Sequence, residues 1–131
     1  MADYGLKLYG NAIIVSPKFA AEKPGAVKAF LSAYLRGLQE TIRRPADAIE
    51  LTVKLEDAAR NAVELERLRM AIRDNILTPE VKARPYGTVD MVPLEEAIAQ
   101  LALTHAFKAR PKAEIVFDGA FRPPTSDRKV H

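Results

Sequence analysis

The chain has 131 residues, 48% of them apolar and 28% charged. That is room for one globular domain, and too hydrophobic a composition for disorder. The absence of cysteine excludes disulfides, thiol catalysis and zinc–thiolate sites. The net charge of +3 is scattered, with Arg43-Arg44 and Arg128-Lys129 as the longest basic runs, so no basic face for nucleic acid is expected. No apolar run approaches the roughly 20 residues that span a bilayer. The opening "MADYGLKLYG" has neither the basic start nor the apolar stretch of a secretory signal. Either the protein is cytoplasmic or its leader lies outside this chain.

The first predicted element is a strand over Leu6 to Val15. Leu6 and Leu8 alternate with Lys7 and Tyr9, and Ala12-Ile13-Ile14-Val15 is continuously apolar, as in a strand covered on both faces. Gly10 between these halves suggests a bulge or a close backbone approach. Ser16-Pro17 reads as the N-cap and first residue of a short helix, and Pro24 opens the next. From there Val27, Phe30, Leu31, Tyr34, Leu35, Leu38 and Ile42 form one apolar stripe on a helix of about five turns. Pro45 ends it, because Arg44 is disfavoured in a helix before proline.

A shorter helix with Ile49 and Val53 inward is expected next. The following helix, for which Glu56-Asp57 can serve as cap, carries Leu65, Leu68, Ile72 and Ile76, with Glu66 and Arg69 paired on its wet face. The stretch "ILTPEVKARPYGTVDMVP" reads as irregular. A last helix places Leu94, Ile98, Leu101 and His105 on one side. Ile115-Val116-Phe117 is a short apolar patch. Residues 1–124 are expected to be ordered, with 125–131 a mobile tail.

The chain shows no catalytic constellation. Its two histidines, His105 and His131, have no partner ligands at a useful spacing, and His105 suits a helix C-terminus. Glu56-Asp57 and Glu95-Glu96 are adjacent on helices and point apart, which favours capping and solvation over acid–base work. No phosphate-binding or nucleophile motif occurs. The sequence therefore predicts no enzyme, no metal and no cofactor. Tyr4, Tyr9 and Tyr86 stand beside glycines and either line a cleft or cover the edges of a small sheet; residue type favours the edges. Tyr34 reads as core with its hydroxyl at the rim.

"YGNAIIVSPKFAAEKPGAVKAFLSAYLRGLQE" resembles the return segment of the periplasmic substrate-binding proteins of ABC importers. The subgroup is that for nitrate, sulfonates, taurine and thiamine pyrimidine precursors. Such proteins show an apolar strand after the interlobe crossing, then a Phe-Ala turn, then Pro-x-x-Val-x-x-Phe-Leu-x-Ala. Ile13 to Val15, Phe19-Ala20, and Pro24, Val27, Phe30, Leu31 and Ala33 stand in those places, and Gly37 and Pro45 match the family's later glycine and proline. "PYGTVDMVPLEEAIAQLALTHAFK" is similar to its Gly-x-x-Asp segment and penultimate helix. "FDGAFRPP" is similar to its terminal Phe-Leu-Pro, with Arg122 in place of leucine.

The resemblance covers nearly all of this chain but only the C-terminal part of a family member. It implies an α/β, mostly helical piece of a two-lobed, type II-like periplasmic-binding-protein fold: one strand near the N-terminus, then several amphipathic helices. The implied function is capture of a small anionic or heteroaromatic solute, with a permease as partner and a periplasmic location. It also implies that Tyr9 and Asn11 lie on the cleft side of the hinge as ligand-binding residues. Gly10 would let the backbone approach, and Asn11 offers a donor and an acceptor; the residues alone equally allow a turn in which Asn11 bonds its own backbone. The rival reading is a small helical interaction module that no longer binds solute.

Either way the apolar strand and part of the Phe30, Tyr34 and Leu38 stripe lack cover within this chain. A twofold homodimer, or Ile115-Val116-Phe117 folding back as a strand, would supply it, and the size of the patch favours the dimer.

Overall fold

The computed structural model describes residues 10–54 and 61–130. Among these residues seven α-helices follow one another: α1 (Pro17–Glu22), α2 (Pro24–Arg43), α3 (Pro45–Val53), α4 (Asn61–Ala71), α5 (Pro79–Ala83), α6 (Met91–Leu101) and α7 (Ala113–Val116). A π-helical turn, Ile72–Ile76, extends α4, and a 3₁₀ turn, Thr125–Arg128, lies near the C-terminus.

Proline sets the boundaries. Pro17, Pro24, Pro45 and Pro79 each stand in a helix's first turn, where their missing N–H costs nothing. Ser16 caps α1 by accepting from the Phe19 N–H at 3.2 Å. Thr78 does the same for α5, from the Val81 N–H at 3.4 Å. Arg44, with non-helical backbone angles (φ −134°, ψ 66°) between α2 and α3, forms the expected corner. Glu40 tightens it by accepting from both Arg43 and Arg44. The Arg44 hydrogen bond is the main reason the Glu40 carboxyl is held below its ordinary value.

Most packing joins helices adjacent in sequence: α1 on α2, α2 on α3, α3 on α4, and α6 on α7. The contact that spans the chain is α2 with the C-terminal 3₁₀ turn. The core is thin. Val27 and Leu35 of α2, Ile72, Ala97 and Ile98 of α6, Ala113 and Val130 are buried, and no large side chain among the described residues is fully enclosed. The α2 stripe is buried along one edge, at Val27 and Leu35, and wet along the other, at Phe30 and Tyr34; Leu38 is half-buried. On α4, Leu65 and Leu68 are half-buried and Ile72 buried, as the periodicity requires. Its ion pair, however, joins Glu64 to Arg67 at 3.0 Å, two residues earlier than the expected pair.

The strand expected over Leu6 to Val15 is not formed in its described half. Residues 10–16 are irregular, and Ile13, Ile14 and Val15 are exposed, Ile14 by 91%. Leu6, Leu8 and Tyr9 lie outside the described residues. The physical reason is plain: a strand is held by its ladder, and the described residues contain no second strand. Ile115 and Val116 do not supply one, because they form the single turn of α7.

Residues 125–130, read from sequence as a mobile tail, are packed against α2. The Gln39 side-chain amide donates to the backbone carbonyls of Asp127 and Lys129 at 2.9 and 2.8 Å. Arg128 is only 8% exposed and Val130 5%.

Candidate functional site

The most elaborate polar arrangement lies where α2, the loop before α6 and the C-terminal segment meet. The loop is shaped by its own residues. Arg84 and Asp90 form a two-pronged ion pair at 2.6 and 2.7 Å across its base, and that hydrogen bonding holds the Asp90 carboxyl below its ordinary value. The Thr88 hydroxyl donates to the Pro85 carbonyl at 2.6 Å. Gly87 has φ +73°, a left-handed geometry that costs glycine little.

This turn presents consecutive carbonyls to the C-terminal segment. Arg128 Nη1 donates to the Tyr86 carbonyl at 2.9 Å, and Arg122 Nη1 to the Gly87 carbonyl at 3.3 Å. In return the Tyr86 N–H donates to the Arg128 carbonyl at 2.9 Å. Arg128 also donates through Nε to the Pro123 carbonyl at 3.1 Å and through Nη2 to Thr125 Oγ1 at 3.4 Å. The Arg122 guanidinium stacks over the Phe117 ring, 5.4 Å from its centroid, and its Nε donates to the Gly119 carbonyl at 3.2 Å. From α2, Tyr34 comes near Tyr86; half-burial first and Tyr34 second hold the Tyr86 phenol above its ordinary value. Burial, followed by the nearby Arg122, pushes the Arg128 guanidinium down.

Two open cavities flank this region. One, of about 250 Å³, lies beside the docked tail between Ser32, Leu35, Arg36, Gln39, Pro123 and Asp127. The other, of about 270 Å³, lies at the α2–α3 corner against Arg69, Ile72 and Lys82. Both are open to solvent and not enclosed as a typical small-molecule pocket is. Among the described residues no group of His, Asp or Glu could hold a metal.

Of the sequence-predicted site residues, Tyr9 lies outside the described residues. Asn11 is exposed in the irregular segment and lines neither cavity. A Cβ at Gly10 would meet nothing within 4 Å, so among the described residues none approaches it closely. Tyr86 does meet another tyrosine, Tyr34. His105 lies beyond the end of α6, exposed, with Nδ1 3.0 Å from Thr104 Oγ1 and its ring stacked on Phe107. Glu95 has the capping role expected of its type, though not for its own helix: its Oε1 accepts from the Ala113 N–H at 2.7 Å, where α7 begins. Gln39, Arg122 and Arg128 were not singled out from sequence as site residues. The visible clue was Arg122, standing where the resembled pattern has leucine.

Residues 1–48 match the family model described as NMT1/THI5 like, which supports kinship of that segment with a family of substrate-binding proteins. The matched segment runs from residue 1 through the irregular 10–16 stretch, α1 and α2, into α3. No curated protein and no solved structure matches the chain. Among the described residues no helix is long and apolar enough to cross a membrane.

Proposed function

We propose that this chain is the C-terminal part of the solute-binding component of an ABC importer, of the subgroup that takes nitrate, sulfonates, taurine or thiamine pyrimidine precursors. The observation that carries this reading is the family match over residues 1–48. The exposed run Ile13-Ile14-Val15 agrees with it: in a two-lobed protein such a run joins a sheet built by other parts of the chain. Solute capture is then noncovalent, by closure of two lobes over a small anionic or heteroaromatic molecule. Tyr9 and Asn11 face the cleft, a permease receives the loaded protein, and the working location is the periplasm.

Calorimetric titration of the protein encoded by the complete open reading frame with taurine, nitrate and an aminopyrimidine tests this reading. Saturable binding of one of them, weakened at least tenfold by Asn11→Ala, is expected. Binding of none would overturn the solute reading, and unchanged affinity in the variant would remove Asn11 from the site.

A second reading, a helical interaction module that has lost solute binding, is favoured by one observation: residues 10–16 form no strand while the C-terminal segment docks on α2. On that reading the exposed apolar face pairs with a second copy of the chain. Light scattering at micromolar concentration tests that pairing, since a clean 14.5 kDa species excludes the homodimer.

A further inference from the structure

Arg128 is the one charged side chain among the described residues that is buried, and among those residues no carboxylate forms an ion pair with it. Its hydrogen-bond partners are the Pro123 and Tyr86 carbonyls and the Thr125 hydroxyl, all neutral. The nearby charge that acts on it is another cation, Arg122. Arg122 in turn is held, among the described residues, by the Gly87 and Gly119 carbonyls and the Phe117 face. Neutral acceptors satisfy N–H groups, but they leave the charge itself uncompensated, and burying an unpaired cation beside a second one is unfavourable. The ion pairs elsewhere make the contrast. Arg43, Arg44, Arg67, Arg73 and Arg84 each lie within 4.0 Å of a carboxylate.

We propose that the Arg122–Arg128 pair is a binding site for a small tetrahedral oxyanion, a phosphate or sulfate group. The two guanidiniums grip consecutive carbonyls of one turn, so they flank the same short piece of backbone. Each guanidinium has five N–H donors. Arg128 uses three and Arg122 two in the bonds above, leaving donors on both for a shared anion. Planar guanidinium forks match phosphate geometry, and charge-assisted bonds of this kind are the strong ones. The anion neutralises the repulsion between the arginines and thereby locks the tail, the Tyr86 turn and α2 together. The site is separate from Tyr9 and Asn11 and does not depend on the solute reading.

Equilibrium dialysis of the 131-residue chain against radiolabelled inorganic phosphate tests this. One phosphate per chain is expected, weakening as chloride is raised. Arg122→Gln should weaken binding about tenfold or more, and the exposed, remote Lys54→Gln should not. Arg128→Lys keeps the charge but loses the fork, and should fall between wild type and Arg122→Gln. Phosphate should also slow hydrogen exchange at the Tyr86 amide in the wild type and leave it unchanged in Arg122→Gln. No binding by the wild type, or equal binding by Arg122→Gln, would overturn the proposal.

Discussion

The two ends of the described chain reverse the usual rule about what is inside. Residues 10–16 hold the most continuously apolar run in the sequence, and Ile14 is almost wholly in solvent. Residues 125–129 are polar and charged, yet Arg128 is among the most buried residues. Burial is decided by the partners available, not by hydropathy alone. The tail brings carbonyls to Gln39 and the Arg128 guanidinium to the Tyr86 turn. The apolar run needs strand neighbours, and the described residues offer none.

The largest expected effect comes from removing the floor on which the tail rests. Leu35 is 6% exposed and borders the cavity beside Gln39 and Pro123. Leu35→Ala should cost about 2–4 kcal/mol of unfolding free energy, measured by urea denaturation. A loss below about 0.5 kcal/mol, the size of a surface change, would mean that the α2 stripe faces no core.

Gln39→Ala acts on the tail alone. It removes two side-chain hydrogen bonds to carbonyls that water can then reach, so about 1 kcal/mol is expected. The sharper readout is hydrogen exchange at the Tyr86 amide, which donates to Arg128. Unchanged protection there would show that the tail is held without Gln39.

Alkaline titration should loosen the same junction. Burial and Tyr34 favour the neutral Tyr86 phenol in the folded state. Its contribution is therefore complete below about pH 10, the ordinary phenol value, and is lost as pH rises through the higher folded value. Tyr86→Phe should remove that alkaline step from a pH–stability curve. If the step persists, another group causes it.

The smallest effect is expected at the other end. Ile14→Lys should change the stability of the monomer by no more than about 0.5 kcal/mol, while abolishing any homodimer built on the apolar face. A destabilisation of several kcal/mol would show that Ile14 is covered after all.

What was legible in the sequence was whatever depends on near neighbours. Ser16-Pro17, Pro24 and Pro45 announced their helices, and the α2 stripe located its buried edge. Thr78-Pro79-Glu80 repeats the Ser16-Pro17 grammar but was hidden within a stretch that reads as irregular. The tail was illegible because side-chain-to-backbone bonds across some ninety positions, such as Gln39 to Lys129, leave no periodic trace. The strand pattern was legible as a capacity, but forming a strand needs a partner that periodicity cannot supply. For the site, the residues tied to the resemblance, Tyr9 and Asn11, were named from local pattern, whereas Arg122 and Arg128 acquire meaning only through the turn they grip.

The π-helical turn at Ile72–Ile76 has a consequence for the route of the chain. Its signature is the Leu77 N–H donating to the Ile72 carbonyl at 2.8 Å, five residues back instead of four, so the turn holds one residue more than an α-helix would. Were the same residues all wound as ordinary α-helix, everything beyond would sit about 100° further round the axis. Thr78 and α5 would leave α4 on a different bearing, and with them the loop that carries Tyr86 to its meeting with the tail. One extra residue thus works as a rudder, aiming a junction formed more than fifty positions downstream.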